Sequence, residues 1–319
     1  MLSYVLKKLL GMIPMIIIIT FLVYLGLDLT PGDAISHIIP PDQLANVSPE
    51  KLEALRQAYG LNDPFFIRYL HWLIGLLQGN FGYSLSSGVP IKDVLGQMVP
   101  ATLELSIAAL FISTLFGSAL GVISAIKRGT ALDGLLTVVG MIGVSIPQFF
   151  FGMLCIMLFA LNLNWLPVGG RGTPGVNNIF DQLQYLILPA CVLGISLTAG
   201  VMRYARNSML DTMNKEYIRT ARSKGIPEWK VNLIHGFRVA ISPVVILIGF
   251  RLPMLIGGSV VIETIFGWPG VGNAFTTAVR SQNYPLVMMI ALFSVVAVLI
   301  ASFLIDIIQA MLDPRIKLD

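Results

Sequence analysis

The residue types that support catalysis or metal binding are few in this chain and stand far apart. Its three histidines, His37, His71 and His235, show no HExxH or comparable spacing. Its two cysteines, Cys155 and Cys191, lie in long apolar runs, which is typical of small buried side chains rather than of disulfides or metal ligands. No Gly-Lys dipeptide occurs, so the chain lacks a Walker A phosphate loop. The sequence predicts no catalytic residue and no metal or cofactor held by this chain.

The composition explains why so little chemistry is visible. Hydrophobic residues make up 55% of the 319 residues, charged residues only 12%, and the mean hydropathy is +0.80. A soluble domain carries about 25% charged residues, and a disordered chain combines low hydrophobicity with high net charge, so both classes are excluded. The net charge of +4 gives no indication of a nucleic-acid partner. The chain is expected to be an integral membrane protein that contacts the lipid bilayer.

Long apolar stretches supply the elements that must position any functional residue. A helix needs about 20 mostly apolar residues to cross the hydrocarbon core of a bilayer. The period-2 alternation of a membrane barrel is absent from the sequence, so the predicted fold is all-α. The predicted spans are residues 9–29, 101–126, 135–161, 185–202, 239–262 and 285–304.

The distribution of lysine and arginine predicts how these spans are oriented. Segments 1–8, 127–134, 203–238 and 313–319 together carry 14 basic residues, whereas the segments on the other side carry 6. Because cytoplasmic segments of membrane proteins are enriched in these residues, both termini are predicted to be cytoplasmic. The first span is too long for the apolar core of a signal peptide and no cleavage site follows it, which favours a retained anchor.

The outer segment between the first two spans, residues 30–100, is too long for a simple turn and is expected to have structure of its own. One helix is predicted to start at Pro49 and to end at Gly60. Two interpretations are open: a cap that rests on the membrane surface, and a docking face for an extracytoplasmic partner. A second helix is predicted to follow the first and to carry Phe65, Tyr69, Trp72 and Leu76.

The inner segment 203–238 holds 8 of the 21 basic residues, and glycine and proline divide it into short helices. A helix over 216–224 is predicted to stop at Gly225, and Pro227 suits the first turn of the next helix. This pattern fits either docking into a cleft of a cytoplasmic partner or attachment of a basic loop to anionic headgroups. The short helix is predicted to group Tyr217, Ile218 and Ala221 on one face and to direct Arg219, Arg222 and Lys224 elsewhere.

Three charged residues fall within or close to the predicted spans, where an unpaired charge is costly. Glu104 and Asp306 lie near span ends and are expected to extend toward the membrane interface. Arg251 lies near the middle of the fifth span and is expected to face a water-filled path or an acidic partner. A proton-coupled pump would show several buried carboxylates, which these spans lack. Any source of energy is therefore expected in another subunit.

Five stretches of the sequence share a family pattern. The run EYIRTARSKG at 216–225 is followed by HGFR at 235–238 and by Pro243. This segment resembles the EAA loop of binding-protein-dependent ABC importer permeases, and the likeness is closest to the peptide and nickel branch. Arg219 and His235 stand where the general pattern has glutamate and isoleucine, and both departures are usual in that branch. The other four stretches, in the family's order, are TPG at 30–32, GLNDP at 60–64, VIETIFGWPGVG at 261–272 and DPR at 313–315.

The resemblance implies a type I ABC importer permease fold with six transmembrane helices. In that family two related permease subunits pair around one central path. Two cytoplasmic ATPase subunits dock on the permeases, and an extracytoplasmic substrate-binding protein delivers the cargo. The resemblance thus implies that ATP and Mg²⁺ are bound by the partner ATPases, in agreement with the missing phosphate loop.

The resemblance also implies where the functional segments lie. Residues 263–272 are expected to shape the outer end of the path, and Arg251 is predicted to lie along it. Proline and glycine in that segment also fit a simpler interpretation as turn formers. The expected gate residues are Glu263, Trp268, Pro269 and Gly270. The expected contact with the ATPase is formed by Glu216, Tyr217, Ile218, Arg219, Ala221, Arg222 and Gly225.

The leading hypothesis is a non-catalytic permease subunit of an ATP-driven ABC importer for oligopeptides or dipeptides, in the plasma membrane of a prokaryote. Nickel chelates, glutathione or another small solute are alternative cargoes within the same architecture. A self-sufficient secondary carrier is the alternative from a different class. The predicted organisation is span 1 in 1–29, the outer loop in 30–100, the core permease domain in 101–311 with its coupling loop at 203–238, and a cytoplasmic tail in 312–319.

Overall fold

The computed structural model describes residues 2–29, 47–58, 61–176, 178–256 and 259–312. Within these ranges the chain forms helices and no β-strand, which confirms the all-α prediction; the one β-type pairing is an isolated bridge between Tyr83 and Pro90. The TPG, Gly60 and DPR positions of the family pattern lie outside the described residues.

Fourteen α-helices are described in those ranges, and two π-helical segments interrupt them, Ile156–Asn162 and Val231–Phe237. The first seven helices are α1 (Leu2–Asp28), α2 (Pro49–Ala58), α3 (Phe65–Leu77), α4 (Ile91–Ile126), α5 (Ala131–Ser145), α6 (Gln148–Cys155) and α7 (Ile179–Met213). The others are α8 (Glu216–Ser223), α9 (Glu228–Lys230), α10 (Arg238–Ala240), α11 (Ser242–Ile256), α12 (Val260–Ile265), α13 (Val271–Arg280) and α14 (Tyr284–Leu312).

Four helices are long and apolar enough to cross a bilayer unbroken, namely α1, α4, α7 and α14. Two further spans are bent pairs: Ala131–Gly143 with Gln148–Asn162 at 97°, and Glu228–Ala240 with Ser242–Arg251 at 41°. Counting each bent pair as one span gives six spans, the predicted number, although the second pair covers 228–251 and the predicted fifth span covers 239–262.

The break in the third span has a local cause in the sequence. Pro147 lacks a backbone N–H and its ring disfavours a helical conformation at the preceding residue. Ile146 is accordingly extended, with φ −77° and ψ 123°, and α5 ends just before it. The continuous helix predicted over 135–161 is therefore wrong at this point, although the stretch is helical on both sides.

The central helix pair is α4 with α7, and it packs through small residues. A Cβ on Gly117 or Gly121 would lie 2.6 Å from the Cβ of a residue on α7, so glycine allows the two backbones to approach closely. The largest core cluster spreads from this pair to Phe266 and Trp268, which are 1% and 0% exposed. The outer segment that follows α12 is thereby packed into the core of the molecule.

The second helix of the outer loop exists and packs against the first span. An aromatic cluster joins α1 to α3, and Tyr69, which is 6% exposed, shares a hydrogen bond of 2.9 Å with Thr20. Phe66 stacks on Phe21 at the edge of this contact, and both Phe66 and Leu77 remain exposed. The aromatic cluster consists of Phe21, Tyr24, Phe65, Tyr69 and Trp72.

Two of the three charged residues singled out in the spans have ion-pair partners within the chain. Glu104 on α4 accepts from Arg171 at 3.0 and 2.8 Å, and Asp306 on α14 is paired with Lys8 on α1. Both carboxylates were expected to extend toward the membrane interface, which stays a prediction. Each charge is compensated by a basic residue that lies far away in the sequence.

Candidate functional site

The helix α8, which the sequence analysis predicts to contact the ATPase, has a backbone set by its two ends. Lys215 precedes it in an extended conformation, and Gly225 follows it with φ +73°, in the left-handed region that glycine adopts most easily. The N–H of Gly225 donates to the carbonyl of Arg222 at 2.9 Å, and the N–H of Ile226 donates to that of Ala221 at 3.4 Å. Gly225 therefore stops the helix and turns the chain toward α9, as its sequence predicts.

Only part of the predicted apolar face of α8 is buried. Ile218 and Ala221 are 0% and 7% exposed and pack with Val231 of the π-helical segment. Tyr217 precedes Ala221 by one turn but is 44% exposed, so it lies at the edge of this face and is not buried with Ile218 and Ala221. Adjacent helix positions are about 100° apart around the axis, and Tyr217 is left on the outward side of α8.

The charged residues of the coupling segment form ion pairs at the protein surface. Arg219 pairs with Glu216 at 3.0 Å and Arg222 with Glu228 at 2.8 Å, and all four side chains are well exposed. Such pairs contribute about 0–1 kcal/mol to stability. These residues thus form a largely charged surface around the exposed ring of Tyr217, and this surface contributes little to the stability of the chain.

The same surface continues onto residues that the sequence interpretation did not select. Trp229 and Leu233 are 59% and 52% exposed and stand one helical turn apart. The ammonium of Lys230 lies 5.4 Å from the Trp229 ring centroid. A signal was present, since two large apolar side chains at i and i+4 in a basic segment indicate an exposed apolar stripe.

The outer segment has the opposite character, because its carboxylate is fully buried. Glu263 is 0% exposed and accepts hydrogen bonds from the Thr102 hydroxyl at 2.9 Å and from the Asn273 N–H at 3.0 Å. The Gly272 N–H is a third donor, so the carboxylate occupies the N-terminus of α13. Burial raises the pKa of Glu263, and these three donors oppose that shift.

Trp268 completes this outer brace, which consists of Thr102, Glu263, Trp268, Gly272 and Asn273. Its indole N–H donates to the carbonyl of Ala101 at 2.8 Å, and its backbone N–H donates to the carbonyl of Glu263 at 2.8 Å. The brace ties α12 and α13 to α4. Within this chain, Glu263 and Trp268 therefore contact protein on all sides, and neither side chain faces open space.

The glycines of this segment are required by close packing. A Cβ on Gly270 would lie 2.4–2.5 Å from the carboxyl atoms of Glu263, and one on Gly272 would lie 2.9 Å from the Val260 Cα. Gly270 has φ −96°, which any residue adopts. The turn-former interpretation is therefore wrong for Gly270, where the missing side chain makes room for the carboxylate. Pro269 and Gly270 also line an outer cavity of about 410 Å³.

Arg251 lines a second cavity, of about 550 Å³, between α7 and α11. Its Nη1 donates to the carbonyl of Leu197 at 2.8 Å. The prediction that Arg251 lies along a path between the spans is untested, but the side chain does line open space. In the described part of the chain, Arg251 forms no ion pair with an acidic residue.

A polar junction near the predicted cytoplasmic end of the spans escaped the sequence interpretation. Arg206 of α7 donates to both carboxylate oxygens of Asp133 at 3.0 Å, and Asp133 is 7% exposed. Ser124 of α4 and the Gly129 N–H also donate to this carboxylate. The junction joins α4, α5 and α7. No three His, Cys, Asp or Glu residues group as metal ligands in the described ranges.

Two family models match the sequence of this chain. A family model described as the inner membrane component of binding-protein-dependent transport systems matches residues 117–318, and a model for the N-terminal part of such components matches residues 1–106. The oligopeptide transport system permease protein AppB of Bacillus subtilis is 38% identical over 319 residues, covering 99% of this chain and 100% of AppB. The glutathione transport system permease protein GsiC of Escherichia coli K12 is 37% identical over 318 residues, covering 99% of both chains.

A solved structure supports the fold. A chain of the MetNI methionine ABC transporter in an inward-facing conformation superposes with a TM-score of 0.58 at 18% identity, covering 70% of this chain and 98% of that chain. The ABC permease fold predicted from the sequence is confirmed, and the chain is a multi-pass membrane protein.

Proposed function

Because this chain belongs to the family of inner membrane components of binding-protein-dependent transport systems, we propose that it is the permease subunit of an ATP-driven importer of oligopeptides or dipeptides. The relative named for oligopeptide transport supports this cargo, and it aligns with this chain over its whole length. Glutathione, carried by the second relative according to its name, is itself a short peptide-like solute and is the closest alternative. Nickel chelates are a third cargo within the same architecture.

The proposed assembly contains this chain, a second homologous permease, two cytoplasmic ATPase subunits and an extracytoplasmic substrate-binding protein. It lies in the plasma membrane of a prokaryote, with both termini of this chain in the cytoplasm. ATP and Mg²⁺ belong to the ATPase subunits, and this chain performs no covalent chemistry. The excess of basic residues on one side of the spans supports this orientation.

The coupling helix α8 is the proposed contact with one ATPase subunit. It joins the end of α7 to α9, and Ile218 anchors it on the π-helical segment that leads to α11. A displacement of α8 would therefore be transmitted to α7 and α11 together. When ATP closes the ATPase pair, this displacement turns the permease from inward-open to outward-open, and the cargo reaches the cytoplasm after hydrolysis.

The exposure of Tyr217 beside a buried Ile218 is the observation that carries this mechanism. A loop attached only to lipid headgroups would need basic side chains available to phosphates, whereas Arg219 and Arg222 are here paired with Glu216 and Glu228. A self-sufficient carrier would need no such surface at all. Both the geometry and the family membership therefore favour the permease subunit over the self-sufficient carrier.

Purification of this chain from its native membrane in mild detergent tests the proposal. We expect two ATPase copies and a second six-span permease to co-purify, and we expect the complex to hydrolyse ATP faster when a peptide-loaded binding protein is added. Recovery of this chain alone, or as a homo-oligomer without an ATPase, would overturn the proposal. Stimulation by a nickel chelate but by no peptide would move the cargo to the alternative.

A further inference from the structure

The cavity between α7 and α11 contains charged groups of both signs. Its lining includes Gly200, Arg203, Tyr204, Asn207, Asp211 and Arg251, and its volume is about 550 Å³. None of Arg203, Asp211 and Arg251 forms an ion pair with another described residue. Two free cations and one free carboxylate thus line the same space.

The guanidinium of Arg251 is held in place while most of its donors remain available. Nη1 donates to the Leu197 carbonyl at 2.8 Å. A Cβ on Gly200 would lie 2.2 Å from Nη2, so the guanidinium rests directly on the backbone of α7. An arginine head group has five N–H donors in a planar fork that matches a carboxylate. With one described hydrogen bond, Arg251 is preorganised to accept a carboxylate ligand.

The charges are separated along α7 by a distance that suits a short peptide. Gly200, which marks the position of Arg251, and Asp211 are eleven residues apart, or about 16 Å along a helix at 1.5 Å per residue. Arg203 lies one helical turn from Gly200, at the end of the cavity that holds the Arg251 head group. An extended peptide spans at most about 3.3–3.6 Å per residue. With a hydrogen bond of about 3 Å at each end, a peptide of three to about four extended residues therefore reaches from one charged end to the other.

Resting on the proposed function, we propose that this cavity binds short peptides by their charged termini. The C-terminal carboxylate of the peptide binds Arg251, with Arg203 adding positive charge, and the N-terminal ammonium faces Asp211. Tyr204 and Asn207 lie between the two ends and offer hydrogen bonds to the peptide backbone. These groups recognise the termini and the backbone of the peptide, so the site is selective for free termini rather than for sequence.

Equilibrium dialysis with the purified assembly of permeases and ATPases, without the binding protein, tests this site. The probe is radiolabelled trialanine, displaced by unlabelled trialanine, trialanine amide or N-acetyl-trialanine. We expect trialanine to displace the probe at least tenfold more effectively than either blocked peptide. Arg251→Gln should abolish the preference over the amide, and Asp211→Asn should abolish the preference over the acetylated peptide.

Matched variants separate recognition from loss of structure. Arg128→Gln, which removes an exposed arginine outside the cavity, should leave both preferences within twofold of the wild-type values. Gly200→Ala should weaken the preference over the amide several-fold, because the new methyl group displaces the guanidinium while its charge remains. The variants are compared only as intact assemblies isolated by size-exclusion chromatography.

The inference is overturned if trialanine fails to bind, if the blocked peptides displace it equally well in the wild type, or if Arg251→Gln retains the preference over the amide. Each of these results would exclude a role for these charges in the recognition of peptide termini. An assembly that responds to a peptide-loaded binding protein but lacks this preference contradicts only the cavity site. The absence of an ATPase-containing assembly contradicts the proposed function.

Discussion

The coupling segment and the outer brace precede and follow α11, and each places a glutamate beside an aromatic residue. In the coupling segment Glu216 and Tyr217 are exposed, and the ion pairs lie at the surface. In the outer brace Glu263 and Trp268 are both 0% exposed and are hydrogen-bonded to α4. The first segment presents its charged and aromatic groups at the surface, whereas the second uses its groups in hydrogen bonds within the chain.

This difference predicts different responses to mutation. A buried group whose partner is removed leaves unsatisfied donors or a cavity, so it contributes to the free energy of unfolding. An exposed charge pair or ring contributes little to that free energy. Substitutions in the outer brace should therefore destabilise the protein, and substitutions on α8 should impair function in a stable protein.

The largest expected effect is that of Trp268→Ala. Removing a fully buried indole destabilises a protein by about 3–5 kcal/mol, and this variant also leaves the Ala101 carbonyl without its donor. Thermal unfolding in mild detergent should show a markedly lower midpoint. Trp268→Phe keeps most of the side-chain volume, so its unfolding midpoint should lie between those of the wild type and of Trp268→Ala. A normal midpoint for Trp268→Ala would mean that the brace does not hold α12 and α13 to α4.

Glu263→Ala should be the next most destabilising, by about 3 kcal/mol, because it leaves the Thr102 hydroxyl and two backbone N–H groups without an acceptor. Glu263→Gln is the matched control. Its amide oxygen can accept from the two N–H groups and its NH₂ can donate to Thr102, so we expect a loss of less than about 1 kcal/mol. Equal midpoints for the two variants would contradict the assigned hydrogen bonds.

Gly225→Val should cost about 1–2 kcal/mol, the penalty for a side chain in the left-handed region. A Cβ at this position meets no atom within 4 Å, so backbone strain is the only term. We expect normal membrane insertion and loss of peptide uptake, because the end of α8 is displaced. Gly225→Asn, which tolerates this conformation, should retain uptake. Unchanged uptake in Gly225→Val would contradict the role assigned to the end of the helix.

The smallest effect on stability is expected for Arg222→Ala, which removes the exposed pair with Glu228. The unfolding midpoint should correspond to a loss of no more than about 0.5 kcal/mol. Arg206→Ala is the informative counterpart, since it leaves the carboxylate of Asp133 without its bidentate partner and should lower the unfolding midpoint clearly more than Arg222→Ala does. Similar losses of stability in the two variants would contradict the distinction between surface and buried ion pairs.

Local features of this fold were predictable from the sequence. Hydropathy located the six spanning stretches. Gly225 marked the end of α8, because glycine is strongly preferred where a helix ends in the left-handed conformation. The bend at Pro147 was predictable by the same kind of reasoning, although the apolar run hid it. Each of these features depends on residues within a few positions of one another.

Partners far apart in the sequence were not predictable. Asp133 is held by Arg206 and Glu104 by Arg171, and the members of each pair lie more than 60 positions apart. The family resemblance placed Glu263 at an outer gate, but its acceptor role depends on Thr102, 161 residues away. Hydropathy gives a single span no information about which helix packs beside it. The proposed peptide site also depends on such a pairing, that of α7 with α11.

The affinity between the solubilised permease pair and its ATPase subunit tests the central claim most directly. Tyr217→Ala should weaken this affinity at least tenfold, as expected for an aromatic anchor in an interface, while the unfolding midpoint stays that of the wild type. Tyr83→Ala, which removes an exposed tyrosine of the outer loop, should leave the affinity unchanged. An unchanged affinity in Tyr217→Ala, or an equal loss in Tyr83→Ala, would contradict the assignment of α8 as the coupling helix.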